Sequence, residues 1–256
     1  MNMWLRQVAL VAHDLGPVVE DLGAVLGLKV AFRDPGVGVF GLVNAVMPLG
    51  GEFLEVVQPV KDDASALRYL HRRGGDAGYM LIFQTADALT ERARILGLGA
   101  RQIAAMEKRY TFTHFHPADF GGVLTSVDSV GGVNDWLSPD SDWPPAGEDW
   151  RKARSENATA LIGATVQSKS PADLAKRWSE LLAVPVEESE AEPTLRLTRG
   201  HVRFVKPVDD DGTGVVGLDI AMADPDGAIA AARSRGLPVE GNSVVICGTR
   251  FNLLKN

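Results

Sequence analysis

The eight residues EFLEVVQP, 52–59, read as a β-strand: apolar and β-branched, introduced by Gly50-Gly51 and closed by Pro59. With a side-chain period of two, Phe53, Glu55 and Val57 share a face, so a carboxylate projects between two residues that favour burial. Moving outward, LRQVALVA, 5–12, alternates in the same way and groups Gln7 with Leu5, Ala9 and Val11. It leads to Asp14 and a helix whose Leu15, Val18, Val19, Leu22 and Leu26 make one apolar stripe before Gly27.

This pattern of strand, polar cap, amphipathic helix, glycine stop and further short strands occurs four times. GYMLIFQT, 78–85, leads to Asp87 and a helix carrying Leu89, Ala93 and Leu96, with Gly99 beyond. ATVQSK, 164–169, leads to Ser170 as cap, Pro171 at the first helical position, and Leu174, Trp178, Leu181 and Leu182. GLDIAMA, 217–223, leads to Asp224-Pro225 and an alanine-rich helix stopped by Gly236. Four units are an internal repeat. Residues 131–158 are rich in Gly, Pro, Ser and Asp and fit neither period, so they are expected to link two halves, 1–130 and 159–256. Trp136, Trp143 and Trp150 lie in that linker at a spacing of seven, but its prolines exclude a continuous heptad helix. They are expected to staple the linker to the domains by burying area, or to lid a pocket.

The composition suits a soluble globular protein: 256 residues, 45% hydrophobic and 23% charged. The net charge of -7 is thinly spread and no basic stripe with interleaved aromatics occurs, so neither nucleic acid nor an anionic membrane is an expected partner. A small organic molecule is, with a second copy of the chain as a further candidate. A single cysteine, Cys247, leaves no internal disulfide and is compatible with a cytoplasmic location. Arg6, Gln7, His13 and Asp14 interrupt the N-terminal apolar residues before a membrane span can form.

Paired βαβββ units resemble the vicinal oxygen chelate superfamily, the glyoxalase, bleomycin-resistance and dioxygenase fold. The resemblance is most specific in LRQVALVAHDL, in FLEVVQP with its glutamate, and in FHPADFGGVLTSV, 115–127, which is similar to the second unit's closing hairpin. NAVMPLGGEFLEVVQPV, 44–60, looks like the glyoxalase-like branch, for which a fold but no substrate is implied. The implied fold is α+β, four units paired into two cup-shaped mixed sheets. The implied metal positions, one on each first strand and one on each fourth, select Gln7, Glu55, Met80 and Ser126 in the first half. In the second half they select Gly163, Gly217, Arg203 and Asn252. Gln7 and Glu55 match a glyoxalase I pair. Met80 and Ser126 are poor ligands for a hard or borderline ion, and Arg203 repels one.

Two ligands are too few for a tight divalent site. His114 and His116, on one face of TFTHFH if that strand stays regular, supply a candidate third, with Gln7, Glu55 and His116 as the metal set. Without metal, Gln7, Met80, His114, His116 and Ser126 are expected to line a substrate cup and Glu55 to be the catalytic group, since a carboxylate in an apolar cup has a raised pKa suited to a general base. A strand glutamate can instead lean out to water. His13, His71 and His201, the last read as lying in a turn, are expected at the surface. Three classes of function remain: a proton-transferring isomerase or lyase based on Glu55, a metal-dependent lyase or dioxygenase, and a non-catalytic binding protein of the bleomycin-resistance type. The functional cavity is expected in the first half.

Overall fold

The computed structural model describes residues 2–187, 192–210 and 212–256. Strand β1 (Trp4–Val11) is buried throughout and feeds helix α1 (Leu15–Leu26). The Asp14 carboxylate accepts the Gly16 amide at the start of α1, and Gly27, at φ 69°, closes it in the left-handed region that favours glycine. Leu15, Val18, Leu22, Val25 and Leu26 form its buried face, each worth about 1.5–3 kcal/mol in burial.

Strands β2 (Leu42–Pro48) and β3 (Phe53–Pro59) form a hairpin whose second arm lies parallel to β1, pairing Ala9 with Glu55. The unit's remaining strand shrinks to one bridge, Phe32 with Val46. Helix α2 (Ser65–Arg73) then leads to β4 (Ala77–Gln84), helix α3 (Ala88–Gly97), β5 (Gln102–Glu107), β6 (Tyr110–Phe115) and β7 (Leu124–Val130). These strands make one mixed sheet, β2-β3-β1-β4-β7-β6-β5.

After the linker come β8 (Ala158–Gln167), α4 (Pro171–Leu182), β9 (Val186–Glu187), β10 (Thr194–Arg196), β11 (His201–Val205), β12 (Gly214–Met222), α5 (Pro225–Ser234), β13 (Val239–Glu240), β14 (Ser243–Ile246) and β15 (Thr249–Lys255). They form the second sheet, β13-β14-β15-β12-β8-β11-β10-β9. In each sheet the two first strands of the units, β1 with β4 and β8 with β12, run antiparallel at the centre, and each takes a parallel closing strand from its own unit. The chain is α+β with two mixed sheets.

One apolar core joins the halves from behind the sheets. Trp178 of α4 meets Phe83, Phe120 and Phe204 edge-on at 5.2–6.1 Å, and α1 packs on α5. The halves touch closely enough to require glycine: a Cβ on Gly50 would sit 2.1 Å from the Thr159 carbonyl oxygen.

Two local expectations are corrected. On α3 the inward residues are Ala88, Glu91 and Ile95, while Leu89 and Leu96 are exposed. Glu91 can turn inward because Arg94, one turn on, meets its carboxylate at 2.9 Å. Ser170 occupies the cap of α4 without a side-chain hydrogen bond, leaving that start to Pro171. Among the described residues no helix is long and apolar enough to cross a membrane.

Candidate functional site

Alternation sends half of each strand away from the shared core. In the first sheet that other face carries Ala9, Val11, Val46, Phe53, Val57, Met80, Ile82 and Leu124, which form a second apolar cluster. The linker fills it. Trp143 stacks on Phe53 with ring centroids 6.2 Å apart and meets Tyr110 edge-on at 5.5 Å. Trp150 meets the same Phe53 edge-on at 4.9 Å, while the guanidinium groups of Arg151 and Arg154 lie over it at 4.7 and 5.0 Å. Both tryptophans are 1% exposed.

At the centre of this cup, Glu55 is 6% exposed. Its Oε2 accepts Gln7 Nε2 at 2.8 Å and its Oε1 accepts Asn44 Nδ2 at 2.6 Å. Gln7 Oε1 in turn accepts the Trp143 indole N–H at 2.6 Å, and Asn44 Oδ1 accepts the Asp34 amide at 2.8 Å. Loss of hydration raises the Glu55 pKa, the two amide donors oppose the rise, and nearby Asp34 adds to it. Among the described residues no cation pairs with Glu55.

Beside this relay, Asp128 is fully buried and accepts from the Tyr110 and Ser126 hydroxyls, and burial pushes its pKa up to about 7. Ser126 is occupied by this bond and by the Thr113 carbonyl at 3.2 Å. His114 sits across from Ser126 in the β6–β7 pairing, its ring 4.5 Å from that of Phe112, and burial lowers its pKa to about 4. Met80 is part of the apolar wall.

His116 departs from expectation. The strand ends at Phe115, and His116 caps the 3-10 turn Pro117–Phe120, its Nδ1 accepting the Ala118 amide and lying 3.2 Å from Arg101 Nη2. Pro117 forces this by fixing the first position of the turn. The regular strand that would pair His114 with His116 therefore stops short. Gln7, Glu55 and His116 do not fit a divalent ion: the first two are bonded to each other and the third faces Arg101. No three His, Cys, Asp or Glu residues converge for a metal among the described residues.

The second cup is built differently. His201 lies on β11, not in a surface turn, and its Nε2 is 2.9 Å from Asp219 Oδ2. Arg203 Nη2 reaches both Asp219 oxygens at 2.8 and 2.7 Å, and Asn252 Nδ2 donates to Oδ1 at 2.7 Å. Asp219 is buried, which would raise its pKa, but the bonds from His201 and Asn252 and the Arg203 charge outweigh burial and lower it. Gly163 is bare for a steric reason: a Cβ there would lie 2.2 Å from His201 Nε2. His13, by contrast, is at the surface against Asp76 at 3.0 Å, and His71 is exposed on α2.

Sequence reasoning brought Gln7 and Glu55 together and missed Asn44, Tyr110, Asp128 and Asp219. One signal for Asn44 existed: counting back through the hairpin from Gly50-Gly51 sets Val46 opposite Glu55 and puts Asn44 on the same face.

No family model matches the chain, and no curated protein does. Among solved structures, a hypothetical protein from Staphylococcus aureus aligns over 100% of both chains, at 10% identity and a TM-score of 0.70. A triple mutant of 4-hydroxymandelate synthase from Streptomyces coelicolor covers 92% of this chain and 76% of its own, at 20% identity and a TM-score of 0.67. Methylmalonyl-CoA epimerase from the same organism covers 52% of this chain and 100% of its own, at 22% identity and a TM-score of 0.47. The first two likenesses extend over both sheets, so the paired architecture as a whole is shared: the chain has the vicinal oxygen chelate fold.

Proposed function

We propose that the chain binds a small organic molecule in the cup of residues 1–130, and that Glu55 transfers a proton at a carbon next to a carbonyl. The observation that supports this is a buried carboxylate with two neutral amide donors and, among the described residues, no cation. Buried charges are ordinarily paired or bound to metal, because desolvation of a lone carboxylate is costly. A core built only for stability has no use for one, whereas a general base working near neutral pH needs the raised pKa that this setting produces.

In this reading Glu55 Oε2 takes the proton, and the electron pair left on carbon moves into the carbonyl to give an enolate. Gln7 Nε2, released from Glu55, then donates to the enolate oxygen. Glu55 returns the proton to the same carbon, from which the enolate collapses back to the carbonyl. The Trp143 ring occupies the ligand's place, so segment 141–150 lifts before binding. Removing a large aromatic from a core costs about 3–5 kcal/mol, which lowers the apparent affinity of any ligand that must displace it.

A binding role without chemistry has its own support: both oxygens of Glu55 and both polar atoms of the Gln7 and Asn44 amides are already bonded. The test is exchange of α-protons into heavy water, followed by NMR on a panel of small ketones, aldehydes and thioesters. The wild type and Trp143→Ala should exchange at least one compound, the variant faster, and Glu55→Gln should not. Equal exchange in Glu55→Gln removes Glu55 from the chemistry. Binding that survives in Glu55→Gln, with no exchange in any form, selects the binding protein.

A further inference from the structure

Where linker tryptophans fill the first cup, the floor of the second carries polar side chains that keep some exposed surface. Alternate residues of β11, namely His201 and Arg203, face away from the core residues Val202 and Phe204. Strand pairing sets Arg203 opposite Thr165, and Asp219 opposite both Gly163 and Asn252. The Arg203 side chain keeps 29% of its surface and that of His201 15%, whereas Asp219 between them keeps 4%.

Asp219 is the fixed element. It is reached by Arg203 through Nη2 alone and by His201 through Nε2. Among the described residues, Arg203 Nη1 and His201 Nδ1 make no hydrogen bond and are not sealed from solvent, and Arg203 Nε is buried without a partner. Two other arginines on this face, Arg196 and Arg250, are each held by a glutamate at 2.8 Å. Arg196 and Arg250 keep further nitrogens free but stand at 59% and 44% exposure on exposed glutamates, whereas Arg203, at 29%, is anchored on the buried Asp219. The charge of Asp219 is already answered by Arg203, the imidazole and the Asn252 amide, so it offers little repulsion to an incoming anion. Gly217, beside Thr165, adds no side chain to the floor.

We propose that the second cup is a binding site for a small organic carboxylate, its oxygens taken by Arg203 Nη1 and by the Nδ1–H of His201 in the imidazolium form whose Nε2–H donates to Asp219. A planar guanidinium with one nitrogen anchored on Asp219 is pre-oriented for this, which lowers the entropy lost on binding. The site stands independently of the first cup and requires no chemistry there.

The experiment titrates acetate, lactate and benzoate, with benzamide as the neutral control, into the intact chain while following the His201 ring signals by NMR. At least one carboxylate should bind and shift His201, and benzamide should not. Arg203→Ala should weaken binding about ten- to a hundredfold, the range of a lost charge-assisted hydrogen bond. Arg203→Lys keeps the charge beside Asp219 and decides the matter if the alanine variant fails to fold: it too should weaken binding, because an ammonium lacks the fork. Glu55→Gln should leave carboxylate binding unchanged, which separates this site from the first-cup proposal. The inference fails if the folded wild type binds none of the three carboxylates, or if folded Arg203→Lys binds them as tightly as the wild type.

Discussion

The Trp143 indole N–H lies 2.6 Å from the Gln7 side-chain oxygen, so a residue 136 positions away completes the hydrogen-bond chain that holds Glu55. A linker side chain thus serves both as wall and as polar partner of the first cup. The two roles can be separated by substitution.

Trp143→Phe keeps an aromatic ring against Phe53 and loses the bond to Gln7 with a small part of the ring volume. It should cost about 1–3 kcal/mol, because Gln7 Oε1 is left buried without its donor. Trp143→Ala also loses the stacking and should cost about 3–5 kcal/mol while opening the cup to an apolar dye. Urea unfolding and dye fluorescence check both; an alanine variant as stable as the wild type would mean that the linker is not packed there.

Stability should depend on pH through groups that oppose one another. Asp128, held at about 7 against an ordinary 3.8, binds its proton more tightly when folded, and Glu55, raised from 4.5, acts in the same direction. Their contribution is full below the ordinary values and is lost as pH rises through the folded ones. His114, lowered from 6.5 to about 4, acts the other way: its contribution is full above 6.5 and lost as pH falls toward 4. Relative to wild type, Asp128→Asn should therefore gain stability as pH rises through the window from 3.8 to about 7. His114→Phe should gain as pH falls from 6.5 toward 4. Unfolding free energies of the three proteins across this range give the slopes, and a difference that does not change with pH would contradict the assignment.

Gly50→Ala tests the seam between the halves. Its Cβ would meet the Thr159 carbonyl at 2.1 Å, a backbone atom that cannot swing aside. A loss of about 1–3 kcal/mol is expected, with both halves unfolding in one transition. A neutral substitution would mean that the halves are not seated against each other at this point.

How much of this could be read from sequence differs from element to element. The units were legible because their signals are local: Asp14 and Gly27 bracket α1 within a dozen residues, and alternation alone turns Gln7 and Glu55 to one face. The phase of α3 was not legible, since a buried Glu91 depends on the Arg94 guanidinium covering it. His116 was misplaced because period two assumes that the strand continues, and Pro117 ends it. Asp128 and Asp219 carry no local signal; only the sheet pairing brings Tyr110 and Ser126 to the first, and His201, Arg203 and Asn252 to the second. For the linker tryptophans the sequence left stapling and lidding as alternatives and did not single out Trp143, because the linker contacts are long-range and irregular.

The proton-transfer role of Glu55 requires a desolvated carboxylate that no cation among the described residues pairs with. Carbon-13 NMR titration of its side-chain carboxyl, assigned by comparison with Glu55→Gln, measures this directly. The structure predicts titration above the ordinary 4.5. Titration at or below that value would mean that Glu55 is solvated or ion-paired, and would contradict both its placement and its role as a base.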